Sequence, residues 1–380
     1  MKYMGSKRVM LENGLGELLE SQAKFASRVV DLFSGSASVS WYAATKLKKS
    51  VLACDLQEYA AILAGSVVKR TKLIKIQDLD KEWLSPAASM QSKLKGWQKA
   101  NRLDTAQYST ATWQQRAQEL CSLDEDAEST LIWRCYGGHY FSPTQALSFD
   151  SMLLSLPDDS ELRELCLAAV IIAASNCAAA PGHTAQPFKA TRTAAPYLRD
   201  SWLRDPFHYT RAALEKLCPL YATKPGQAVV ADANQMAKEL NSKDVVFIDP
   251  PYSSVQYSRF YHVLETIARG NCSKVEGVGR YPPSVERPNS CYSKKSISAP
   301  TIEDLLRTLS TNGCIVVLTF PKGQCSNGLS GDGIEEMAHQ FFQVTTRRSV
   351  KTTFSTLGGN KNNRVARQVS DELMLVLNPR

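Results

Sequence analysis

The segment VVFIDPPY, residues 245–252, places an acid, two prolines and a tyrosine directly after four apolar residues. Both prolines have a fixed φ and lack a backbone N–H, so they end an extended segment in a stiff turn. This turn would hold the Asp249 carboxylate, the Pro250 carbonyl and the Tyr252 ring in one arrangement. Asp and Pro are also ordinary turn residues, so a turn without chemistry is the alternative.

The elements around this turn are predicted to form a parallel sheet. Residues 245–248 indicate a fully buried strand, because an unbroken apolar run bounded by breakers is typical of parallel strands. Earlier in the chain, residues 29–33 predict another strand, which a turn of small residues at 34–38 joins to a helix from about residue 39. Ligands of open α/β sheets bind beyond the carboxyl ends of such strands.

The turn at 34–38 and the strand that follows it indicate a nucleoside ligand. Gly35 lacks a Cβ and lets a ligand approach the backbone closely. Asp55 ends the next strand, 24 residues after Asp31, where an acid can accept hydrogen bonds from ribose hydroxyls. The chain has neither a G-x-x-x-x-G-K-[ST] loop nor a full G-x-G-x-x-G, so no phosphate cradle is predicted. An adenosyl ligand without phosphate fits this combination, and S-adenosylmethionine is the common one.

The composition is that of a globular protein with an anionic partner. Of 380 residues, 43% are hydrophobic and 22% charged, and the formal net charge is +8. The ten cysteines form no C-x-x-C pair, which predicts reduced thiols. The longest apolar run, residues 165–174, is too short to span a bilayer and predicts a buried helix. We therefore expect a cytoplasmic protein without a membrane anchor, in a prokaryotic cytosol or encoded by a phage. No metal site is predicted, because the ligand spacing is missing around His139, His183 and His208.

The order of these signals predicts one α/β domain with an insertion. Strand and helix signals alternate at 27–68 and at 228–268, and strands return at 314–378. The region between them is polar, with isolated tryptophans, and its pattern is mostly helical. We predict an α/β domain formed by residues 1–70 and 226–380, with an inserted, mostly helical region at 71–225.

Five segments together resemble one family of enzymes. They are KYMGSK at 2–7, DLFSGSASV at 31–39, Asp55, ADANQM at 231–236 and DPPYSSVQYSRFYHVLE at 249–265. This set is similar to that of the DNA adenine-N6 methyltransferases in which the cofactor motifs precede the target-recognition region and DPPY follows it. The resemblance implies a Rossmann-like sheet of seven strands with a final antiparallel hairpin, and binding of S-adenosylmethionine. It also implies site-specific transfer of a methyl group to N6 of a flipped adenine, with 71–225 as the DNA target-recognition region.

The resemblance assigns site residues position by position. Asp249 and the Pro250 carbonyl would accept hydrogen bonds from the target amine, and Tyr252 would stack on the flipped base, so the catalytic motif is Asp249, Pro250, Pro251 and Tyr252. The implied cofactor-binding residues are Lys7 at the methionine end, Asp31, Phe33 and Gly35 in the turn, Asp55 at the ribose, Asp232 near the adenine, and Asp249. Ala37 departs from the family, which commonly has glycine there, and its methyl group would narrow the room beside the cofactor.

Double-stranded DNA is the implied partner, and a cognate restriction endonuclease is a further partner that the resemblance allows. Tyr257 and Arg259 follow DPPY and are candidates for DNA contact. A Gly- and Asn-rich connection at 355–368 can face phosphates or form a solvated hairpin tip, and it carries Lys361, Arg364 and Arg367. In the inserted region the candidates are Lys189, Arg192 and Arg199.

Three alternatives remain open from the sequence alone. A cytosine-N4 methyltransferase uses similar chemistry but usually carries SPPY, and an enzyme that methylates protein glutamine usually carries NPPY. The Asp at position 249 favours adenine over both. The third alternative is a DNA-binding module that retains the fold without catalysis. The sequence predicts neither the recognised DNA site nor the oligomeric state.

Overall fold

The structure is a computed structural model that describes residues 7–123, 130–355 and 367–380, with the backbone alone at 352–355 and 367–370. The described residues divide into two compact units. Residues 7–71, 221–257 and 288–380 form the first, which we call the sheet unit. Residues 72–220 and 258–287 form the second, which we call the helical unit.

The sheet unit contains a seven-stranded sheet in the order β3-β2-β1-β4-β5-β7-β6. The first five strands in this order are parallel, and β7 runs antiparallel to both β5 and β6. The predicted α/β, Rossmann-like sheet with a final antiparallel hairpin is thus confirmed. The strands are β1 Arg28–Asp31, β2 Ser50–Asp55, β3 Gln227–Val230, β4 Asp244–Ile248, β5 Ile315–Pro321, β6 Phe342–Ser355 and β7 Arg367–Pro379.

Apolar side chains on both faces of the sheet explain why its central strands are buried. Every residue of β4 is buried, as an unbroken apolar run predicts for a central parallel strand. Successive side chains of a strand point to opposite faces. Val246 and Ile248 accordingly join one hydrophobic cluster, whereas Val245 and Phe247 join another.

Helices connect the strands of the sheet unit. The helix Ser38–Thr45 follows β1 and Glu58–Val68 follows β2, as the alternating pattern predicts. Near residue 7 the chain is helical at Arg8–Met10 and Gly16–Ala23, with non-helical backbone at Asn13 and Gly14 between them. The remaining helices are Ala233–Ala237, Ser298–Thr311, Gly331–Ala338 and the 3-10 turn Cys291–Ser293.

The helical unit is built around one long buried helix. Ser160–Cys177 contains the apolar run 165–174, and it packs against Pro206–Leu217 and His262–Arg269. No helix among the described residues is long and apolar enough to cross a membrane. The other α-helices of this unit are Ile76–Leu79, Ser85–Gln91, Trp97–Thr105, Thr110–Ser122, Leu131–Tyr136, Pro143–Leu154 and Ala195–Trp202, with π and 3-10 turns at Asp80–Leu84 and Ser284–Glu286. Tyr257–Phe260 is a short helix at the boundary of the two units.

The division predicted at residues 70 and 226 stays a prediction, and the grouping of contacts differs from it in one segment. Alternating strand and helix signals placed residues up to 268 in the α/β domain 226–380, whereas residues 258–287 group with the helical unit. Val263, Leu264 and Ile267 are buried in the helix His262–Arg269. Tyr136 and Thr266 share a hydrogen bond between their hydroxyls at 2.7 Å. These contacts are long-range and leave no mark in the local sequence pattern.

Candidate active site

Asp249 is the first residue beyond the carboxyl end of β4, and it lies in a cluster of three buried charges. The Lys7 ammonium nitrogen is 2.9 Å from Asp249 Oδ1 and 2.9 Å from Glu372 Oε2. The exposed fraction of the side chain is only 5% for Lys7, 16% for Asp249 and 7% for Glu372. One cation is therefore shared by two carboxylates that have little access to water, which leaves the ionised cluster with a net charge of −1 and requires close pairing.

The charges of this cluster shift one another's pKa values. Burial raises the pKa of Asp249 to about 6, with Lys7 opposing the shift and Glu372 adding to it. Burial alone would lower the pKa of Lys7, but Asp249 and Glu372 outweigh it and raise that pKa above its ordinary value. At neutral pH Lys7 is therefore a cation and Asp249 is mostly an anion.

The hydrogen bonds of Asp249 leave one of its oxygens available. Oδ1 faces Lys7 and also accepts a hydrogen bond from Thr319 Oγ1 at 2.8 Å. None of the described residues donates to Oδ2, and none donates to the neighbouring Pro250 carbonyl. Two acceptors on consecutive residues are thus free to receive the N–H groups of a ligand.

Asn327 holds the DPPY turn from behind. Its side-chain amide donates to the Pro251 carbonyl at 2.8 Å and to the Tyr292 carbonyl at 3.0 Å. Asn327 is fully buried, so loss of this amide would leave both carbonyls without a donor. The stiffness expected from two prolines therefore has a second source that the sequence did not reveal.

Tyr252 presents a half-buried ring beside these acceptors. The ring makes edge contacts with Tyr257 and Phe320, at centroid distances of 6.3 Å and 6.5 Å. Burial raises the pKa of Tyr252 to about 12, so the phenol stays neutral at physiological pH. Two other rings thus fix the orientation of an aromatic surface next to the Asp249 carboxylate.

β1 is the parallel neighbour of β4, so its carboxyl end meets the same edge of the sheet. Asp31 ends β1 and is 1% exposed. Its Oδ2 accepts a hydrogen bond from Ser40 at 2.6 Å, whereas its buried Oδ1 has no partner among the described residues. Burial raises the pKa of Asp31 to about 7. A buried carboxylate oxygen without a donor is suited to a cationic or N–H ligand.

Asp55 connects the turn at residues 34–38 to the end of β2 through a hydrogen bond. Its Oδ2 accepts a hydrogen bond from the backbone amide of Gly35 at 2.9 Å, and its Oδ1 accepts one from Gln57 at 2.9 Å. Gly35 has a φ of 46°, in the left-handed region that glycine adopts most readily. Burial raises the pKa of Asp55 to about 6. Because a carboxylate can accept about four hydrogen bonds, these two leave capacity for ribose hydroxyls.

Two further predicted cofactor residues have clear structural contacts. Phe33 packs edge-on against Tyr292, with ring centroids 5.0 Å apart. Asp232 follows β3 and caps the helix Ala233–Ala237, accepting hydrogen bonds from the amides of Asn234 and Gln235 at 3.0 Å and 3.2 Å. The cap accounts for an acid at this position without a ligand, so its contact with the cofactor adenine stays a prediction.

Ala37 adopts a backbone conformation that favours glycine. Its φ is 59° and its ψ is 11°, and it is the residue before the helix Ser38–Thr45. The side chain is fully buried. A methyl group in this left-handed conformation costs about 1–2 kcal/mol relative to ordinary backbone. The departure from the family's glycine therefore introduces local strain.

With this geometry established, comparison with known sequences identifies the family. A profile of the D12 class N6 adenine-specific DNA methyltransferases matches residues 3–119 and 158–303, which is more than half of the chain. The chain belongs to this family. The family predicted from the sequence is thereby confirmed, and the D12 description favours adenine over the cytosine-N4 and protein-glutamine alternatives.

Three curated relatives align with parts of this D12 chain. Modification methylase LlaI of Lactococcus lactis subsp. lactis is 37% identical over 109 residues, which cover 28% of this chain and 17% of the relative. Modification methylase StsI of Streptococcus sanguinis is 29% identical over 94 residues, which cover 25% of this chain and 14% of the relative. Type II methyltransferase M.NlaIII of Neisseria lactamica is 37% identical over 81 residues, which cover 21% of this chain and 23% of the relative. The chain thus spans less than a quarter of the length of each relative.

The predicted DNA-contacting arginines and lysine of the D12 chain are exposed where the structure describes their side chains, whereas Tyr257 is half-buried. Arg259 is exposed in the helical unit, as are Lys189, Arg192 and Arg199. Tyr257 belongs to the sheet unit and contacts Tyr252. Lys361 and Arg364 lie outside the described residues, and Arg367 is described by its backbone alone in β7. DNA contact remains a prediction for all of them.

The histidines that might suggest a metal are held in other ways. Burial lowers the pKa of His139 to about 4 and also lowers the pKa of His183. His208 contacts the ring of Tyr209. Within the described ranges, no group of three or more His, Cys, Asp or Glu side chains is placed to hold a metal ion.

Two residues of the D12 site escaped the sequence analysis. Glu372 begins the apolar part of β7 and opposes Pro321 of β5, so from sequence it resembles a surface acid at the start of a strand. Asn327 lies in a polar loop with no motif. Lys7 was predicted to hold the methionine end of the cofactor, but its observed contacts are to Asp249 and Glu372. The signal available in the sequence was that Lys7 and Asp249 both belong to motifs of the same family.

Proposed function

We propose that this chain transfers a methyl group from S-adenosylmethionine to N6 of a flipped adenine at a specific site in double-stranded DNA. The observation that supports it best is a pair of acceptors, Asp249 Oδ2 and the Pro250 carbonyl, to which no residue in the described part of the chain donates. They stand beside the Tyr252 ring at the carboxyl end of β4. β4 and β1 are neighbours at the point where the strand order reverses, which is where open α/β sheets bind ligands.

The residues at the end of β1 fit S-adenosylmethionine. The buried Asp31 Oδ1 has no donor within the ranges that the structure describes, and the α-ammonium of the methionine part would supply one. Asp55 would accept hydrogen bonds from the ribose hydroxyls, beside the backbone of Gly35. The bound cofactor supplies an activated methyl group on a sulfonium, together with a neutral leaving group.

The acceptor pair would make the target amine reactive. The exocyclic amine of adenine is a poor nucleophile because its lone pair is delocalised into the ring. Asp249 Oδ2 and the Pro250 carbonyl would accept one N–H each, which localises the lone pair and directs it towards the methyl carbon. Lys7 and Thr319 occupy Oδ1 and so fix which oxygen faces the amine. The product amine then loses one proton, for which the ionised Asp249 is the nearest acceptor.

The base must leave the duplex to reach this geometry. Enzymes that modify a base extrude it at a cost of a few kcal/mol. Stacking on Tyr252 offsets about 1–3 kcal/mol of that cost. The helical unit, with exposed Lys189, Arg192 and Arg199, would read the target sequence. Since two relatives are named modification methylases, a cognate restriction endonuclease is the further partner that we propose.

The test combines methyl mapping with cofactor binding. We expect the wild-type chain to produce N6-methyladenine at one sequence in a methylation-free bacterial host, mapped at single-nucleotide resolution. Asp249→Asn should lower the rate of methyl transfer by about 100-fold or more, while equilibrium binding of labelled S-adenosylmethionine survives. Asp332→Asn removes an exposed acid of the sheet unit and serves as the control.

Each alternative predicts a distinct outcome of this test. Methylation of cytosine would support the N4 alternative. Absence of cofactor binding by the wild-type chain would support a DNA-binding module without catalysis. A near-native rate for Asp249→Asn would contradict the proposed mechanism while leaving the activity itself in place.

A further inference from the structure

Two arginines of the helical unit approach the ring of one tyrosine. The Arg259 guanidinium carbon lies 4.8 Å from the centroid of the Tyr281 ring, and that of Arg287 lies 5.5 Å from it. Cations within about 6 Å of an aromatic centroid are attracted to it. Arg259 follows the DPPY motif in sequence, whereas Arg287 and Tyr281 belong to no motif.

Tyr281 is a rigid platform for these cations. Its hydroxyl donates a hydrogen bond to the Ala185 carbonyl at 2.5 Å. Its backbone exchanges two hydrogen bonds with Glu276, at 2.8 Å and 2.9 Å. The ring also packs on buried His262, with centroids 4.7 Å apart. Since the ring is fixed at three points, it restricts where both guanidiniums can lie.

The positive charge on this platform is not neutralised within the described residues. Neither guanidinium forms an ion pair with a described carboxylate, and Arg287 donates only to the Pro282 carbonyl, at 3.1 Å. The acids of this region are engaged elsewhere: Glu276 pairs with Lys274 at 2.8 Å, Glu265 pairs with Arg269 at 2.9 Å, and Glu286 accepts from Ser273.

The neighbouring titratable groups compensate only in part. Burial lowers the pKa of His262 to about 4, so this ring is neutral. Burial and then the adjacent charge of Arg259 lower the pKa of the Arg287 guanidinium, and the smaller effects of Tyr281 and Glu276 oppose that shift without reversing it. Two like charges share one ring, so an anion placed between them would relieve their repulsion.

We infer that Arg259 and Arg287, held on Tyr281, bind phosphates of the DNA backbone and supply affinity that does not depend on base sequence. This inference rests on the proposed function; Arg259 is already a predicted DNA contact, and the inference adds Arg287 and the Tyr281 platform to it. A guanidinium presents a planar fork of donors that matches two phosphate oxygens. Contacts of this kind position a protein on DNA, whereas contacts to base edges specify the sequence.

The test is the salt dependence of DNA binding, measured by fluorescence anisotropy on two labelled duplexes, one with the mapped methylation site and one without. We expect Arg287→Gln and Arg259→Gln each to weaken binding to both duplexes by a similar factor. The plot of log affinity against log salt has a negative slope. Each variant should reduce the magnitude of this slope by about 0.9 per lost phosphate contact, and the double variant should reduce it by about twice as much. Tyr281→Phe, which keeps the ring, should bind as the wild type does.

Matched variants separate this role from simple loss of charge or of fold. Arg211 is an exposed arginine of the same unit that pairs with Asp80 at 2.6 Å, so Arg211→Gln should leave the slope unchanged. Arg287→Lys retains the charge and should retain most of the slope; if Arg287→Gln unfolds, Arg259→Gln provides the test at the same ring.

Two results would overturn the inference. One is a slope for Arg287→Gln equal to that of Arg211→Gln. The other is weakening confined to the duplex with the methylation site, which would indicate base readout. Failure of the proposed function is visible separately, because a wild-type chain that binds DNA but transfers no methyl group would contradict the activity and leave the salt slopes intact.

Discussion

Lys7 donates a hydrogen bond to Glu372 at 2.9 Å, although 365 positions separate the two residues in the chain. The same ammonium lies 2.9 Å from Asp249, the acid that the DPPY motif supplies. Glu372 therefore acts on Asp249 as a positioning residue, through a shared cation and through its own negative charge. Its removal should alter the ionisation of Asp249.

We expect Glu372→Gln to shift the acid limb of the methylation rate to lower pH. In the wild type the rate should fall as the pH drops through about 6, because protonated Asp249 no longer accepts from the amine. Burial is the main cause of this raised pKa and Glu372 adds to it, so loss of the second charge lowers it. Single-turnover rates between about pH 5 and 8 measure the shift. Glu303→Gln, at a half-buried acid that pairs with Arg307 in the helix Ser298–Thr311, is the control, and an unchanged acid limb in Glu372→Gln would remove Glu372 from this role.

Cofactor binding should release protons from Asp31. Its pKa of about 7 means that roughly half of the Asp31 carboxyls are protonated at pH 7, and an ammonium beside Oδ1 would ionise them. Calorimetry in two buffers of different ionisation enthalpy should show more proton release for the wild type than for Asp31→Asn at this pH. Equal release from both proteins would contradict the contact.

The same group predicts a pH effect on stability. The pKa of Asp31 is higher in the folded chain than in an unfolded one, so the fold binds more protons between these values. Asp31 therefore destabilises the free protein as the pH rises through 7. The thermal midpoint of the wild type should therefore decrease between pH 6 and pH 8, and that of Asp31→Asn should decrease less.

Replacing Ala37 with glycine should cost little stability. Relief of the left-handed strain gains about 1–2 kcal/mol, whereas loss of the buried methyl group costs about 0.8 kcal/mol and the greater freedom of glycine in the unfolded state costs roughly 0.5–1 kcal/mol. The midpoint of urea unfolding should therefore change little. Ala43→Gly, inside the helix Ser38–Thr45, should instead destabilise by about 1 kcal/mol. A decrease for Ala37→Gly as large as that for Ala43→Gly would show that the strain is absent.

The Tyr252 ring should matter more than its hydroxyl. Tyr252→Phe preserves the contacts with Tyr257 and Phe320 and should be mild. Tyr252→Ala removes stacking worth about 1–3 kcal/mol, so the methylation rate should fall by roughly 5- to 150-fold. Tyr221→Ala removes an exposed ring of the sheet unit as a control. If the Phe variant were as slow as the Ala variant, the hydroxyl would be the essential group.

Local patterns in the sequence predicted most of the sheet. β4 is a short apolar run bounded by breakers, and the hairpin strands β6 and β7 contain longer alternating or apolar runs. Such runs indicate strands from local sequence alone, whatever position the strand has in the sheet. The turn after β1 was predictable because small residues and Gly35 have a specific backbone role. The family description confirms the chemistry that these motifs implied.

The contacts that complete the site were not predictable from local sequence. Glu372 reaches Lys7 only because β7 inserts between β5 and β6, and Asn327 reaches Pro251 only after the loop beyond β5 has packed. Residues 258–287 group with the helical unit through buried side chains that any amphipathic helix could show. In each case a polar or apolar residue acquires its role from a partner distant in sequence.

The burial of Lys7 against Glu372 also bears on when the site matures during translation. Ribosomes deliver the amino-terminal part first, so Lys7, β1 and β4 emerge before β7 has been made. Until residue 372 leaves the exit tunnel, the ammonium has only one carboxylate and β5 lacks its antiparallel neighbour. A nascent chain would thus hold a formed turn at residues 34–38 beside a charge cluster at Asp249 that stays incomplete until β7 has been synthesised.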